Sequence, residues 1–290
     1  MKQLRQYIRE ILLESINPSI NAQISKLEDF DAFIDIVDRV PNSIDVRLLF
    51  FDRARFNQEN GRVFSLHQGA AGNCNNAMIV GGDGWGEGTY AREGLGPLLY
   101  DITMEGTTFL GKTGLGPDHT SVSDDAYAVW NYYLNNRPDV IAKQRDITQQ
   151  PRTEDVQDDC TSDNGVRAVA NRFPGGTGSD SPEQPFSGEF LDHWFDPQNP
   201  LSKTYHKTGT PVLDSLRQNF RLLPGAARFI GMPYNQDEMQ QIWDQTWGKA
   251  YPKNHVKVPW ISNIWKKMFG FDTTLLKQLN PQADWEKYER

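Results

Sequence analysis

The sequence predicts an α/β protein of the α+β type, with a mixed sheet, flanking helices, a helical N-terminal arm and a helical C-terminal extension. Along the first half of the chain, the spacing of apolar residues alternates between about 3.6 and about 2, which is typical of mixed helices and strands. After a polar stretch, only helical spacing recurs. We therefore expect an N-terminal arm over 1–41, an α/β core over 42–148, a polar linker over 149–207 and a helical region over 208–290.

The N-terminal arm has two segments in which apolar side chains recur at helical spacing, Lys2–Glu14 and Leu27–Val40. Pro18 and Pro41 follow them, and proline disfavours a helical conformation in the residue before it. We predict one amphipathic helix in each segment.

The core begins where apolar and polar residues alternate, a pattern that predicts strands over Ile44–Phe50, Arg62–His67 and Asn76–Val80. Asn60-Gly61 is typical of a turn before the second strand. Two helices follow these strands along the chain.

The first core helix is predicted over Pro97–Glu105, because proline is favoured at the first helical position, where its missing N–H costs least. The second is predicted over Asp124–Asn136, where the hydroxyl of Ser121 or Ser123 can cap the first turn.

The second half of the chain starts with a polar segment rich in Pro, Gly, Ser, Asp and Gln, which is typical of a linker. Apolar residues then predict helices over Pro211–Leu223, Gln236–Lys249 and Trp260–Phe269. The aromatic side chains of these helices are candidates for contact with a second copy or another protein.

Composition excludes several classes of function. The net charge of −8 argues against nucleic-acid binding, which depends on lysine and arginine neutralising phosphates. We predict no membrane span, because no apolar run approaches ~18 residues, and the N-terminus has no secretion signal. Cys74 and Cys160 do not form a disulfide framework, so we expect reduced thiols.

The segment from Arg92 to Leu98 has the features of a phosphate-binding turn. Glycines let a ligand approach the backbone closely, and the first N–H groups of a helix favour an anion. The turn resembles the pyrophosphate loop of the GNAT family of N-acyltransferases, Gln/Arg-x-x-Gly-x-Gly/Ala at a strand-to-helix junction. Gly94 and Gly96 match, whereas Ala91 occupies the basic position and Arg92 lies one residue nearer.

This resemblance implies a GNAT-like fold with acetyl-CoA as the cofactor. Its implied cofactor-binding residues are Arg92, Gly94, Leu95, Gly96 and Leu98.

The next helix supplies a second, partial match to the same family. The family pattern Asn-x-x-Ala-x-x-x-Tyr corresponds to Ser123 through Trp130, with Ala126 in place and tryptophan in the tyrosine position. An indole cannot donate a proton at neutral pH, so the resemblance leaves Tyr133 or Tyr132 as the catalytic acid.

A more particular resemblance is to phage-encoded, acyltransferase-like or virion proteins. It is carried, in the same order, by Gly94–Asp101, Val122–Val140 and Asp158-Asp159-Cys160. In addition, Ile8-Arg9-Glu10 and Leu12-Leu13-Glu14 fit the Leu/Ile-x-Glu pattern cut by prohead proteases, so 1–14 is a candidate capsid-targeting leader. The resemblance implies a location in the virion or the host cytoplasm.

Three hypotheses for the function follow. The first is a virion-associated protein on a GNAT-like fold, whose partners are other virion proteins or a second copy that contacts the C-terminal aromatic helices. The second is an active CoA-dependent N-acyltransferase, in which the amides of Gly94–Leu98 hold the pyrophosphate. The third is a purely structural or interaction protein.

Three further motifs have simpler explanations. Gly106–Thr113 satisfies the Walker A pattern, but Gly114-Leu115-Gly116-Pro117 follows it where a nucleotide-binding loop needs a helix. Cys74 with His67 or His119 could form a thiol and base, although a small residue near a strand is more often buried. The last is an acidic loop that does not have the spacing of a calcium-binding loop, so we predict no metal; it contains Asp155, Asp158, Asp159, Asp163 and Gly165.

Overall fold

The computed structural model describes residues 17–37, 43–50, 58–66, 74–81, 89–118, 122–147, 152–160 and 188–250. The predicted helices over Lys2–Glu14 and Trp260–Phe269 lie outside these residues, as does the candidate leader. Within them the chain is a mixed α/β protein, which confirms the predicted class.

The described residues contain seven α-helices and ten strands. The helices are α1 (Pro18–Asp29), α2 (Gly96–Thr107), α3 (Asp124–Asn136), α4 (Gly188–Trp194), α5 (Pro211–Gln218), α6 (Pro224–Phe229) and α7 (Gln236–Ala250). The strands are β1 (Ala32–Val37), β2 (Ser43–Phe50), β3 (Gln58–Leu66), β4 (Met78–Val80), β5 (Tyr90–Ala91), β6 (Leu115–Gly116), β7 (Val140–Gln144), β8 (Asp146–Ile147), β9 (Asp159–Cys160) and β10 (Lys203–Lys207).

Most of the strands form one sheet in the order β1-β2-β3-β4-β6-β10-β7. Neighbouring strands are antiparallel except for β4 and β6, which are parallel and are connected along the chain through α2. β5 pairs with Gly61 and Arg62 of β3, next to the part of β3 that pairs with β4. β8 and β9 form a separate parallel pair.

The predicted helix over Leu27–Val40 is wrong for its second half, where the chain forms β1. α1 ends at Asp29, and Asp31 has a φ of 47° as the chain turns into the strand. β1 pairs with β2 along its whole length and is buried on both faces. A short apolar run of this kind has no period that separates strand from helix.

The polar stretch predicted as a linker contains structure that the pattern did not indicate. α4 lies in it, and β10 at its end is inserted in the sheet between β6 and β7. The sheet therefore includes strands from both sides of the predicted boundaries at 41/42 and 148/149.

Helix α2 lies at the centre of the core. Every residue from Leu98 to Thr107 is buried, including Asp101 and Glu105. Gly106 lies against the sheet, because a Cβ at this position would come within 2.5 Å of Ile44 Cδ1. The position of α2 therefore places two carboxyl groups inside the protein.

Candidate functional site

In the segment predicted to bind phosphate, the chain forms a tight turn that leads directly into α2. The Leu95 amide donates to the Arg92 carbonyl at 3.1 Å, which closes a tight turn. Glu93 and Gly94 have φ values of 57° and 67°, so glycine fits the second of these left-handed positions without steric cost. The side of the turn from Arg92 to Gly94 is exposed.

The first turn of α2 offers few N–H groups to an anion. Pro97 has no N–H, and the Leu98 amide donates to the side-chain oxygen of Gln23 in α1 at 2.9 Å. Gly96 is more open, since a Cβ there would have only ordinary contacts, the nearer 3.7 Å from Ala91 Cβ. The Leu98 amide, which the family resemblance assigns to the cofactor, is thus already hydrogen-bonded to Gln23.

Tyr133 lies next to this turn, on its buried side and not on the exposed side from which a ligand would approach. The Tyr133 hydroxyl is 2.7 Å from the Pro97 carbonyl and 2.5 Å from Asp101 Oδ1, and it has a single proton to donate to these acceptors. The residue is 1% exposed. Burial, followed by the Asp101 charge, raises the pKa of Tyr133 well above its usual value. In this position the hydroxyl is a structural donor.

Tyr132 belongs to a different part of the structure. Its hydroxyl is 3.3 Å from Asn17 Oδ1 and also forms a hydrogen bond with Ser19. Asn17 caps α1 by accepting from the Ser19 amide at 3.0 Å. Tyr132 therefore joins α3 to the start of α1.

The carboxylate that holds Tyr133 is the centre of a buried ionic network. Asp101 accepts two hydrogen bonds from the Arg137 guanidinium, at 2.9 and 2.7 Å, and one from Lys207 Nζ at 2.9 Å. The Asp101 and Arg137 side chains are fully buried. Burying these charges would be costly without the pairing and hydrogen bonds that the network supplies.

Glu105, one helical turn further along α2, extends the network to α5. It accepts from Lys207 Nζ at 2.6 Å and from the amides of Val212 and Leu213 at 3.2 and 2.9 Å. Burial raises the pKa of Glu105 to about 7, against the opposing influence of Lys207. Burial alone would lower the pKa of Lys207, but Glu105 and Asp101 raise it above its ordinary value.

The sequence interpretation did not single out this network. A usable signal was present, because Asp101 and Glu105 lie four residues apart on a helix whose other side chains are mostly apolar. Two carboxylates in such a helix indicate a buried cationic partner. Their partners Arg137 and Lys207 lie 36 and 106 residues from Asp101, too far for any local pattern to show.

The cysteines are paired, so the expectation of reduced thiols is wrong. Cys74 and Cys160 form a disulfide across 86 residues of sequence. Both are buried, and Cys74 starts a turn in which three successive residues, Cys74–Asn76, have φ values near 50°. Cys74 accordingly has no thiol to act as a nucleophile, and the suggested bases His67 and His119 lie outside the described residues.

The Walker A-like string supports this left-handed turn rather than a phosphate. Gly106 is inside α2, so no strand precedes the string. Lys112 Nζ donates to Asn76 Oδ1 at 3.2 Å, and the Thr113 hydroxyl donates to the Asn75 carbonyl at 2.5 Å. The described residues thus lack the strand–loop–helix context that a nucleotide-binding loop requires.

A neutral polar network joins the same turn to β10. Asn75 Nδ2 donates to Thr204 Oγ1 at 3.1 Å, and Thr204 Oγ1 lies 2.7 Å from His206 Nε2. His206 Nδ1 lies 3.0 Å from the Thr113 carbonyl, so Nδ1 must carry the proton and Nε2 accepts. Burial lowers the pKa of His206 to about 4, which keeps the ring neutral.

Part of the acidic loop folds onto β8. Carboxylate oxygens of Asp146, Asp158 and Asp159 lie within 4.8 Å of one another. Asp146 already accepts from the backbone amides of Arg152 and Thr153, at 2.6 and 2.8 Å. These contacts indicate that Asp146 organises the loop. Asp163 and Gly165 lie outside the described residues.

Comparison of the chain with protein-family models, with curated proteins and with solved structures finds no match. None of the helices in the described part of the chain is both long enough and apolar enough to cross a membrane.

Proposed function

We propose that the chain is a phage-encoded, virion-associated protein that uses a GNAT-like fold as a structural scaffold and does not catalyse acyl transfer. The fold is supported by the order β4, β5, glycine turn, α2, β6 and α3 along the chain, with the turn directly before α2. The parallel pair β4–β6 is connected through the helix that this turn begins.

The position of Tyr133 carries the non-catalytic part of the proposal. A general acid must approach the departing group and must give up its proton near the working pH. The Tyr133 hydroxyl is buried between Asp101 and the Pro97 carbonyl, and its pKa is raised. Tyr132, the other candidate acid, is engaged at the start of α1.

The virion association rests on the sequence resemblance. Two of the three segments that carry this resemblance, Gly94–Asp101 and Val122–Val140, contain the end of the glycine turn, the first half of α2 and the whole of α3. They thus contribute scaffold residues, including the buried Asp101 and Arg137.

The second candidate function is an active CoA-dependent N-acyltransferase. One observation favours it: the turn from Arg92 to Gly94 is exposed at the N-terminus of a buried helix, where a pyrophosphate would be attracted. Acetyl-CoA would then contact the amide of Gly96 and the side chain of Arg92.

Calorimetric titration of acetyl-CoA into the wild type separates the two functions. The proposal expects no binding at millimolar ligand. The test variants are Gly96→Asp, which places a negative charge at the turn, and Gly96→Asn, a neutral control of similar size. Position 96 is suitable because a Cβ fits there, whereas Gly94 has a positive φ and would be strained by either side chain. Binding that Gly96→Asp abolishes and Gly96→Asn retains would favour the acyltransferase.

A further variant, Gln23→Ala, tests whether the occupied donor matters, because it frees the Leu98 amide. Binding that appears only in this variant would show a pyrophosphate site covered by α1. Mass spectrometry of purified phage particles tests the other half of the proposal: the chain should be present in the particles, and its absence would refute virion association.

A further inference from the structure

A surface groove lies between α1 and the segment that connects α5 to α6. Its volume is 320 Å³, which is at the small end of the range for ligand-binding sites. Asn21, Ala22, Ile24, Ser25 and Glu28 of α1 form one wall, and Asn219 and Arg221 form the other. The groove is separate from the glycine turn and does not depend on the proposed function.

Arg221 is the distinctive feature of the groove. Its backbone is fixed, because its amide donates to the Leu216 carbonyl and its carbonyl accepts from the Ile34 amide, both at 2.8 Å. Its guanidinium carbon lies 5.2 Å from the centre of the Phe33 ring. Nε is buried and has no hydrogen-bond partner among the described residues.

This arginine also has no counter-ion at contact distance in the described part of the chain. In contrast, Arg62, Arg137 and Arg217 each pair with a carboxylate at 2.7 to 3.0 Å. Glu28 and Asp31 attract Arg221 only at longer range, and burial lowers the pKa of Arg221. A half-buried guanidinium that lines a groove without a paired anion is suited to hold a carboxylate in a two-pronged contact.

The opposite wall limits what such a ligand can be. Glu28 lines the same groove, so a simple anion would be repelled from the α1 side. Glu28 and Arg221 line opposite walls of the groove and do not form an ion pair with each other. A small molecule with a carboxylate and an ammonium group satisfies both. Ala22 and Ile24 add an apolar surface for a short side chain.

We propose that this groove binds a free α-amino acid, with its carboxylate on Arg221 and its ammonium group on Glu28. The ligand contributes both charges. A molecule that carries only one of them makes only one of the two contacts, and its charge is repelled by the protein group of the same sign. A peptide terminus carries one charge and belongs to this weaker class.

Ligand-observed NMR titration of the full chain with three matched probes tests this assignment. L-alanine carries both charges, N-acetyl-L-alanine only the carboxylate, and L-alanine amide only the ammonium group. L-alanine should bind with a Kd of about 1 mM, and each derivative about tenfold more weakly. Equal binding of all three probes, no binding of L-alanine, or tighter binding of a derivative would overturn the proposal.

Two neutralising variants give a result that simple unfolding does not reproduce. Arg221→Gln and Glu28→Gln should each weaken L-alanine about tenfold. Glu28→Gln should leave N-acetyl-L-alanine binding unchanged or improved, and Arg221→Gln should do the same for L-alanine amide. Arg152→Gln, at an exposed ion pair with Asp192, is the control and should leave all three affinities unchanged. Loss of all probe binding in both variants, with thermal melting unchanged, would refute the assigned contacts.

Discussion

The side chains on the two faces of β10 belong to two buried polar networks that are stabilised in different ways. On one face, Lys207 pairs with Asp101 and Glu105 of α2, and the Tyr205 ring stacks on Trp130 with ring centres 5.0 Å apart. On the other face, Thr204 and His206 form neutral hydrogen bonds to the disulfide-linked turn and to the Thr113 carbonyl.

The difference follows from which groups each face contacts: buried charges on one side and a strained backbone turn on the other. The α2 face contains charges that the helix carries into the core, and each charge requires a partner there. The opposite face holds a backbone turn with three left-handed, non-glycine residues, which costs conformational energy. There, a covalent bond and side-chain hydrogen bonds offset the cost.

The ionic face should be the more sensitive to a single substitution. Asp101→Asn leaves Arg137 and Lys207 with an incomplete set of acceptors, so we expect a loss of about 3–5 kcal/mol in the free energy of unfolding. Asp139→Asn is the control, because Asp139 also pairs with Arg137 but is partly exposed; it should cost under about 1 kcal/mol. Denaturant unfolding measures both, and a smaller loss for Asp101→Asn would contradict this assignment.

The opposite face should depend on its disulfide. Replacing Cys74 and Cys160 together by alanine should cost about 2–4 kcal/mol, because the cross-link closes a long loop and restricts the unfolded chain. Dithiothreitol should lower the denaturant midpoint of the wild type to that of the double variant and leave the double variant unchanged. Two free thiols in wild-type protein unfolded without reductant would show that the bond does not form.

His206 should make this face sensitive to acid. Its pKa is lowered to about 4 in the folded protein, below the ordinary value of 6.5. The stability it contributes is present above pH 6.5 and is lost as the pH falls towards 4, a change on the order of 2 kcal/mol. His206→Gln should remove this part of the pH dependence, as measured by denaturant unfolding at a series of pH values. If the dependence of unfolding free energy on pH is the same in the variant and the wild type, folding does not lower the pKa of His206.

Glu105 should give the ionic face a pH dependence of similar size and opposite sign. Its pKa is raised to about 7, so its contribution is present below its ordinary pKa of 4.5 and is lost as the pH rises through 7. The two effects oppose each other where their ranges overlap. Stability of the Glu105→Gln variant should therefore fall more steeply than that of the wild type as the pH drops from 6.5 to 4.5. The same slope in both proteins would contradict the raised pKa.

The smallest expected effect is at Lys112, whose ammonium group donates to Asn76 at the edge of the left-handed turn. Lys112→Ala should cost on the order of 0.5 kcal/mol, the net value of one partly exposed hydrogen bond. Calorimetry with ATP should show no binding in the wild type or the variant. ATP binding that the variant loses would restore the nucleotide interpretation.

Elements with strong local signals were well predicted. α3 spans Asp124–Asn136 as expected, and Ser123 caps it by accepting from the Ala126 amide at 3.2 Å. α2 begins with Pro97 in its first turn, after the glycine turn. β10 was missed because Lys203–Lys207 does not have the apolar alternation that indicates a strand. Its burial depends on the strands and helices around it.

For the candidate site, the sequence predicted the glycine turn before a helix, but it did not predict the contacts of Tyr133. The sequence places tyrosines at 132 and 133 on one helix, and adjacent helical residues point in different directions. Tyr133 therefore contacts Asp101 and Pro97, whereas Tyr132 contacts the start of α1. Which of the two side chains points into the core depends on how α3 packs against the rest of the protein.

By itself the sequence determined the features that depend on neighbouring residues: the left-handed Gly94, the proline in the first turn of α2 and the Ser123 cap. Only the tertiary structure decided that Asp101 meets Lys207, that Cys74 meets Cys160 and that Gln23 occupies the Leu98 amide. The physical reason is range. Backbone preferences and caps act within a few residues, whereas burial, ion pairing and disulfide formation depend on groups that folding brings together from distant parts of the chain.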